Sequence, residues 1–366
     1  MRLLKKIFGS KQQAKDTSQD DFWGWFSRHA AEFHRIVKSD EEVDAAFLER
    51  LMPRLQRINT QFYCLTGMYD DDTAELVVTA DGDIKSFVFV EELVASAPVI
   101  AGWRFTALKP PTDITAFSLK MWDYKFDNNN IRFYYNEVDG YPDEIDICLL
   151  CDHYTEENKD SVTQGCLLFV ENSLGELNMA TLIDSVTVSG TTPQGKEAIP
   201  IGKLGDFLVW REKELVEKYE GTRHNTKNDV CSLMEATDMD DLPVVAVINQ
   251  GLLEWEAKAS HPWMMTVEIV YDGEGRNGLP DKYTSEMMLQ FEDELTPQLP
   301  DSEGYLNLGR ETYKGKRTIF FACKEFRRVS RVTAALIDQY KGQLDISYEI
   351  YKDKYWMSMN QFRENS

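Results

Sequence analysis

Three stretches of this 366-residue chain carry residue types at spacings that known chemistries use. Gly273-Glu274-Gly275-Arg276-Asn277-Gly278 fits G-x-G-x-x-G, the pattern in which backbone amides at a helix start hold a pyrophosphate. That chemistry needs the third glycine inside the helix. Here Leu279-Pro280 follows at once, so a helix can begin only after the motif, and Asp272 and Glu274 repel phosphate. A glycine-rich turn without a nucleotide cofactor is expected. As a calcium loop starting at Asp272 the stretch also fails, because Asn277 and Tyr283 stand where glycine and glutamate are required.

Cys148-Leu149-Leu150-Cys151 has the spacing of a redox dithiol, which needs a helix N-terminus to stabilise a thiolate. The run is apolar and strand-like, and strand residues three apart point to opposite faces. Buried, reduced thiols are expected instead. The remaining cysteines, Cys64, Cys166, Cys231 and Cys323, are scattered, which excludes the disulfide framework of a small secreted protein. His29 and His34 are five apart, not the four that put two zinc ligands on one helix face, so no metal site is expected. Glu91 and Glu92 diverge on a helix and make a poor acid–base couple. No G-x-S-x-G, Walker A or H-E-x-x-H pattern occurs, and no catalytic residue is assigned.

The third stretch is electrostatic. The chain carries 40 basic and 62 acidic residues, a net charge of −22. Against that background Arg310, Lys314, Lys316, Arg317, Lys324, Arg327, Arg328 and Arg331 crowd into 309–331 with only Glu311 and Glu325 among them. Two readings stay open. These cations pair with acids on neighbouring elements, or they dock an acidic partner or an anion through Arg317, Lys324, Arg327, Arg328 and Arg331. RNA is not expected as that partner. Aligned on Lys314-Gly315, the stacking positions of an RNA-recognition fold are Lys316 and Thr318, with Phe320 and Phe321 out of place, and the net charge repels a phosphate backbone.

The elements that must position these residues read as α+β in two domains. A flexible basic tail is expected for 1–20, an N-terminal mixed domain for 21–220, a polar linker for 221–241 and a C-terminal domain for 242–366. Phe22, Phe26, Ala30, Phe33 and Val37 recur at helical spacing. Ser39-Asp40-Glu41-Glu42 then opens a second helix in which Pro53 forms a kink or break. The N-terminal domain is read as two β-α-β units with added elements, including a hairpin whose strands flank Asp127-Asn128-Asn129-Asn130. The C-terminal domain reads as a leading strand at Val244–Ile248 followed by β-α-β-β-α-β, the ferredoxin-like arrangement. Its helices are expected at Asp281–Leu295 and over the stripe Val329, Val332, Leu336 and Tyr340. No apolar run approaches the ~20 residues of a membrane span, and stable membrane insertion is not expected.

Pro243-Val244-Val245-Ala246-Val247, the loop ending Gly278-Leu279-Pro280, Glu292-Asp293-Glu294-Leu295 and Gly309-Arg310-Glu311-Thr312 together resemble the bacterial domain of unknown function 695. Tyr351–Trp356 resembles that family's closing segment, and the likeness covers roughly 242–360. The resemblance implies a bacterial, cytoplasmic protein and no activity. A non-catalytic interaction or regulatory protein with a protein partner is therefore expected. The alternatives are an enzyme with a site between domains and, more remotely, an RNA-binding protein.

Overall fold

The computed structural model describes residues 19–363 except Ala116. The tail expected for 1–20 lies outside the described residues up to position 18, and its last two positions are already helical. The chain is a mixed α and β protein with several sheets, divided into two compact units. The first comprises residues up to Tyr135 and Ile147–Asp206; the second comprises Asn136–Asp146 and everything from Phe207.

In chain order the first elements are α1 (Gln19–Ser39), α2 (Glu49–Ile58), β1 (Tyr63–Met68), β2 (Ala74–Thr79), α3 (Ile84–Ala95) and β3 (Trp103–Ala107). The apolar stripe of α1 is buried as its spacing requires, and Phe26 meets Trp103 edge to face at 4.9 Å. The Trp103 indole N–H donates to the Ala30 carbonyl at 2.9 Å, which fixes β3 against α1. β2 and β3 pair in parallel around α3, and β1 pairs antiparallel with β2. The break near Pro53 falls earlier than expected, in a π-helical stretch at Asp44–Leu48. Proline lacks the N–H that an α turn would use. α2 nevertheless continues through Pro53.

Next come β4 (Leu119–Met121), β5 (Tyr124–Phe126), β6 (Ile131–Asn136), β7 (Asp146–Cys151), α4 (Lys159–Leu174), α5 (Glu176–Leu182), β8 (Ser185–Ser189), β9 (Ile199–Pro200) and α6 (Leu204–Lys218). The hairpin expected around 127–130 does not form. β5 pairs with β4, whereas β6 lies in a separate sheet of order β8-β7-β6-β9. Asp127 and Asn130 do make the turn, with the Asn129 N–H donating to the Asp127 carboxylate at 2.9 Å. Local turn chemistry thus survives while strand partners are set by burial. α4 approaches β5 closely, since a Cβ on Gly165 would lie 2.2 Å from the Phe126 ring.

The second unit adds β10 (Cys231–Thr237), β11 (Pro243–Asn249), α7 (Gln250–Leu253), β12 (Trp263–Val270), α8 (Lys282–Leu295), β13 (Tyr305–Tyr313), β14 (Lys316–Cys323), α9 (Arg327–Gln339) and β15 (Asp345–Lys352). β10 lies inside the stretch expected as a linker. It is the edge strand of its sheet and pairs with β11 along its whole length. The sheet has order β10-β11-β13-β14-β12-β15, with every neighbouring pair antiparallel. One face packs Ile248, Met264, Leu306, Leu308, Phe320 and Ala322 against α7 and the 3-10 segment Met357–Phe362. The other face lies under α8 and α9, where Thr333 reaches Met265 and Arg310 reaches Glu292. Lys314 and Gly315 take φ values of +46° and +74° and form the tight turn between β13 and β14.

Candidate functional site

A cleft of about 340 Å³ in the second unit brings together groups from three separate stretches. Leu253 ends α7 and Glu254, Trp255, Glu256 and Lys258 follow it, while Tyr355, Met357, Asn360 and Arg363 follow β15. Gly140 and Tyr141 come from the Asn136–Asp146 insertion.

Asp143 anchors that insertion. Its carboxylate accepts hydrogen bonds from Lys218 Nζ at 2.8 Å, from the Tyr219 hydroxyl at 2.8 Å and from the Tyr355 hydroxyl at 2.9 Å. Lys354 Nζ donates to the Asp143 carbonyl at 2.6 Å. Burial alone would raise the Asp143 pKa, but the three side-chain donors outweigh it and hold the carboxyl below its ordinary value. Burial, with Asp143 alongside, pushes the Tyr355 phenol up, so this tyrosine stays a neutral donor. Tyr141 then packs on the Tyr355 ring edge to face at 4.8 Å.

Lys258 is the charged group of the cleft that is withdrawn from water, at 8% exposure. Its Nζ donates to the Trp255 carbonyl at 2.7 Å and lies 5.8 Å from the centroid of the Trp356 ring. Burial lowers its pKa and Arg363 adds to that effect, while Glu254 and Glu256 oppose it. No carboxylate among the described residues forms an ion pair with it. Beneath the cleft the Trp356 indole N–H donates to the His261 carbonyl at 3.0 Å. His261 is fully buried, with Nδ1 2.8 Å from Ser260 Oγ and Nε2 without a partner. Burial, then the charges of Lys324, Arg223 and His224, lower its pKa to about 4, so the ring is neutral.

The basic segment is divided between the β13–β14 hairpin and the start of α9. Lys314 Nζ pairs with Asp238 at 2.7 Å, Lys316 with Glu268 at 2.6 Å and Arg310 with Glu292 at 2.9 Å. Of the five candidate docking residues, Arg317 is buried on β14, where its Nε donates to Thr312 Oγ1 at 3.0 Å and its Nη1 has no partner. Lys324 is exposed just past the other end of that strand, roughly 20 Å of extended chain away. Arg328 pairs with Glu303 and donates to the Gln298 carbonyl at 3.0 Å. Arg327 lies over the Phe326 ring at 4.7 Å, and Arg331 is exposed on α9. Lys324, Arg327, Arg328 and Arg331 are thus neighbours around the start of α9, and Arg317 does not join them.

The motifs tested in the sequence take structural places. Gly278 donates back to Gly273 and accepts from Gly315, so the glycine-rich loop is a turn packed on the β13–β14 hairpin and α8 starts only at Lys282. Phe320 and Phe321 are both buried in the sheet. Cys148 and Cys151 are buried on β7. The neighbour of Cys151 is Cys166 on α4, whose thiol hydrogen-bonds to it and lowers its pKa, against the effect of burial. Cys231 is the exposed exception among the cysteines. Sequence reasoning missed Lys258 and Trp255, because 254–262 has no periodicity, and it missed Tyr141, which lies in the loop between β6 and β7. The available signal was the clustering of Trp255, Tyr355 and Trp356 in segments that no helix or strand pattern claims.

A family model described as a family of unknown function (DUF695) matches residues 234–362. That stretch runs from β10 to the 3-10 segment after β15 and supplies every cleft residue except Gly140, Tyr141 and Arg363. No curated protein and no solved structure matches the chain. Among the described residues no helix is long and apolar enough to cross a membrane.

Proposed function

We propose that this is a non-catalytic interaction protein whose partner adds an extended segment to the outer edge of β10. The observation that carries the reading is the contrast between the two edges of the six-stranded sheet. β15 bears Asp345, Glu349 and Lys352, the charged residues that keep an edge from pairing with other chains. β10 bears one charge, Glu235, and exposes Leu233 and Cys231. Val230 and Met239 at its two ends are also exposed, at 70% and 104%. Among the described residues no strand pairs with its outer side. Residues 231–241 carry Glu235, Asp238, Asp240 and Asp241 and no basic residue; Lys314 pairs with Asp238 and Asp240, so Glu235 and Asp241 are the acids that a segment bearing Lys or Arg complements.

Three further parts of the reading belong here. The strand order β13-β14-β12-β15, with α8 and α9 on one face, supports a ferredoxin-like core extended by β11 and β10. The two compact units support two domains, with the second holding that core. A bacterial, cytoplasmic setting accords with the acidic charge and the unbridged cysteines.

Cys231 provides the test. A maleimide-linked benzophenone placed on it should crosslink one protein from the native cell through a segment rich in Lys or Arg, and Leu233→Lys should abolish that product. Crosslinks that are absent, or unchanged by Leu233→Lys, would refute the edge as the partner surface.

A further inference from the structure

We infer that the Lys258 cleft binds a small organic carboxylate carried on a planar apolar body, with Lys258 and Arg363 facing the anion and Trp255, Tyr141 and Tyr355 forming the walls. This inference does not rest on the proposed docking edge, which lies on a different element.

The first support is the uncompensated charge. A buried ammonium without a counter-ion costs several kcal/mol. Lys258 is 8% exposed, yet its hydrogen-bond partner is a neutral carbonyl. An ammonium has three donors, and the Trp255 carbonyl takes one of them. Arg363 lines the same cleft, so a second cation shares it. Among the described residues no carboxylate pairs with Lys258, and the two acids of the cleft, Glu254 and Glu256, are exposed, so an anion seated beside Lys258 and Arg363 completes the buried charge.

The walls define the body of the ligand. A volume of about 340 Å³ falls at the small end of the range for ligand cavities. Tyr355 is held by Asp143, and Tyr141 stands against it, so these faces are set before any ligand arrives. Flat apolar bodies stack on such rings.

The rim selects the charge. Glu254 and Glu256 line the same cleft and are exposed. Their fields reach Lys258 without an ion pair. They disfavour a dianion such as a phosphate monoester more than a monoanion, which places a carboxylate ahead of a phosphate.

The test uses the full chain and four probes with one ring: phenylacetate, phenylacetamide, benzylamine and phenyl phosphate. Phenylacetate should bind saturably at millimolar concentration or better, read by tryptophan fluorescence and calorimetry. The other three should bind about tenfold more weakly, and Lys258→Met should weaken phenylacetate by about tenfold, as for the loss of one charge-assisted contact. Arg363→Gln, on an exposed residue, is the second variant and should weaken it about threefold. A reductively methylated Lys258 should shift its NMR signal and its titration upward when phenylacetate is added. No saturation with phenylacetate, equal binding of phenylacetamide or phenyl phosphate, or a Kd unchanged in either variant would each overturn the inference.

Discussion

The carboxylate of Glu325 accepts the backbone N–H of Arg327 at 2.7 Å. It accepts the N–H of Arg328 as well, at 3.0 Å, and the Tyr305 hydroxyl donates to it at 2.6 Å. An anion therefore caps the very helix end at which Arg327, Arg328 and Arg331 oppose the helix dipole.

Glu325→Ala should accordingly destabilise the protein by about 1–2 kcal/mol, the usual worth of an N-terminal cap with charge. Replacing the three arginines with glutamine should lower the melting temperature in the parent, because Arg328 loses Glu303 and Gln298. In the Glu325→Ala background the same triple change should cost less, since the opposed dipole no longer has its anion. Equal costs in the two backgrounds, measured by chemical denaturation, would show that Glu325 and the arginines act independently.

Stability should fall with acid because of His261. Its folded pKa of about 4 lies below the ordinary value of 6.5, so between those limits the unfolded state binds more protons. The contribution is complete above pH 6.5 and is lost as pH falls from there through 4. The full span is worth about 3 kcal/mol. The unfolding free energy of the parent should drop over that window, and His261→Gln, which does not titrate, should flatten this part of the curve. A His261→Gln profile parallel to the parent between pH 6.5 and 4 would contradict the assignment.

Two glycines should respond oppositely to alanine. Gly309 has φ +124°, and a Cβ there would lie 2.1 Å from the Val247 carbonyl oxygen, at the irregular register between β13 and β14. Gly309→Ala should cost more than about 2 kcal/mol or prevent folding. Gly24 lies in α1, with nothing nearer to its Cβ position than Arg28 at 3.9 Å. Gly24→Ala should be neutral or stabilise by up to about 1 kcal/mol through helix propensity. Thermal melts of both variants decide the point, and a Gly309→Ala protein as stable as the parent would mean the bulge relaxes at no cost.

Much of the second unit was legible because its patterns are strong. Met288, Phe291 and Leu295 recur at helical spacing and are buried on α8, and Asp281 accepts the Thr284 N–H as its cap. Lys314-Gly315 forms a hairpin turn that only residues tolerant of positive φ make easily. The failures come where burial pattern and partner choice part company. β10 has a single charged residue but few large apolar ones, so it reads as linker until β11 is seen to pair with it. Asp127 to Asn130 turn the chain, yet Ile131 and Phe133 are buried in another sheet. The candidate site was hardly legible at all. Lys258 becomes unusual only through its burial, and nothing in Glu256-Ala257-Lys258-Ala259 announces that.

Asp143 leaves the ribosome long before the last of the groups that hold it. Tyr355 follows 212 residues later. At a synthesis rate of about 5–20 residues per second, that is a wait of roughly ten to forty seconds. For much of it Asn136–Asp146 has only part of its anchor, because Lys218 and Tyr219 follow Asp143 by 75 and 76 residues and Tyr355 comes much later. The Asp143–Tyr355 hydrogen bond can therefore close only after Lys218 and Tyr219 are already available to hold the insertion, so the anchor is assembled in two stages.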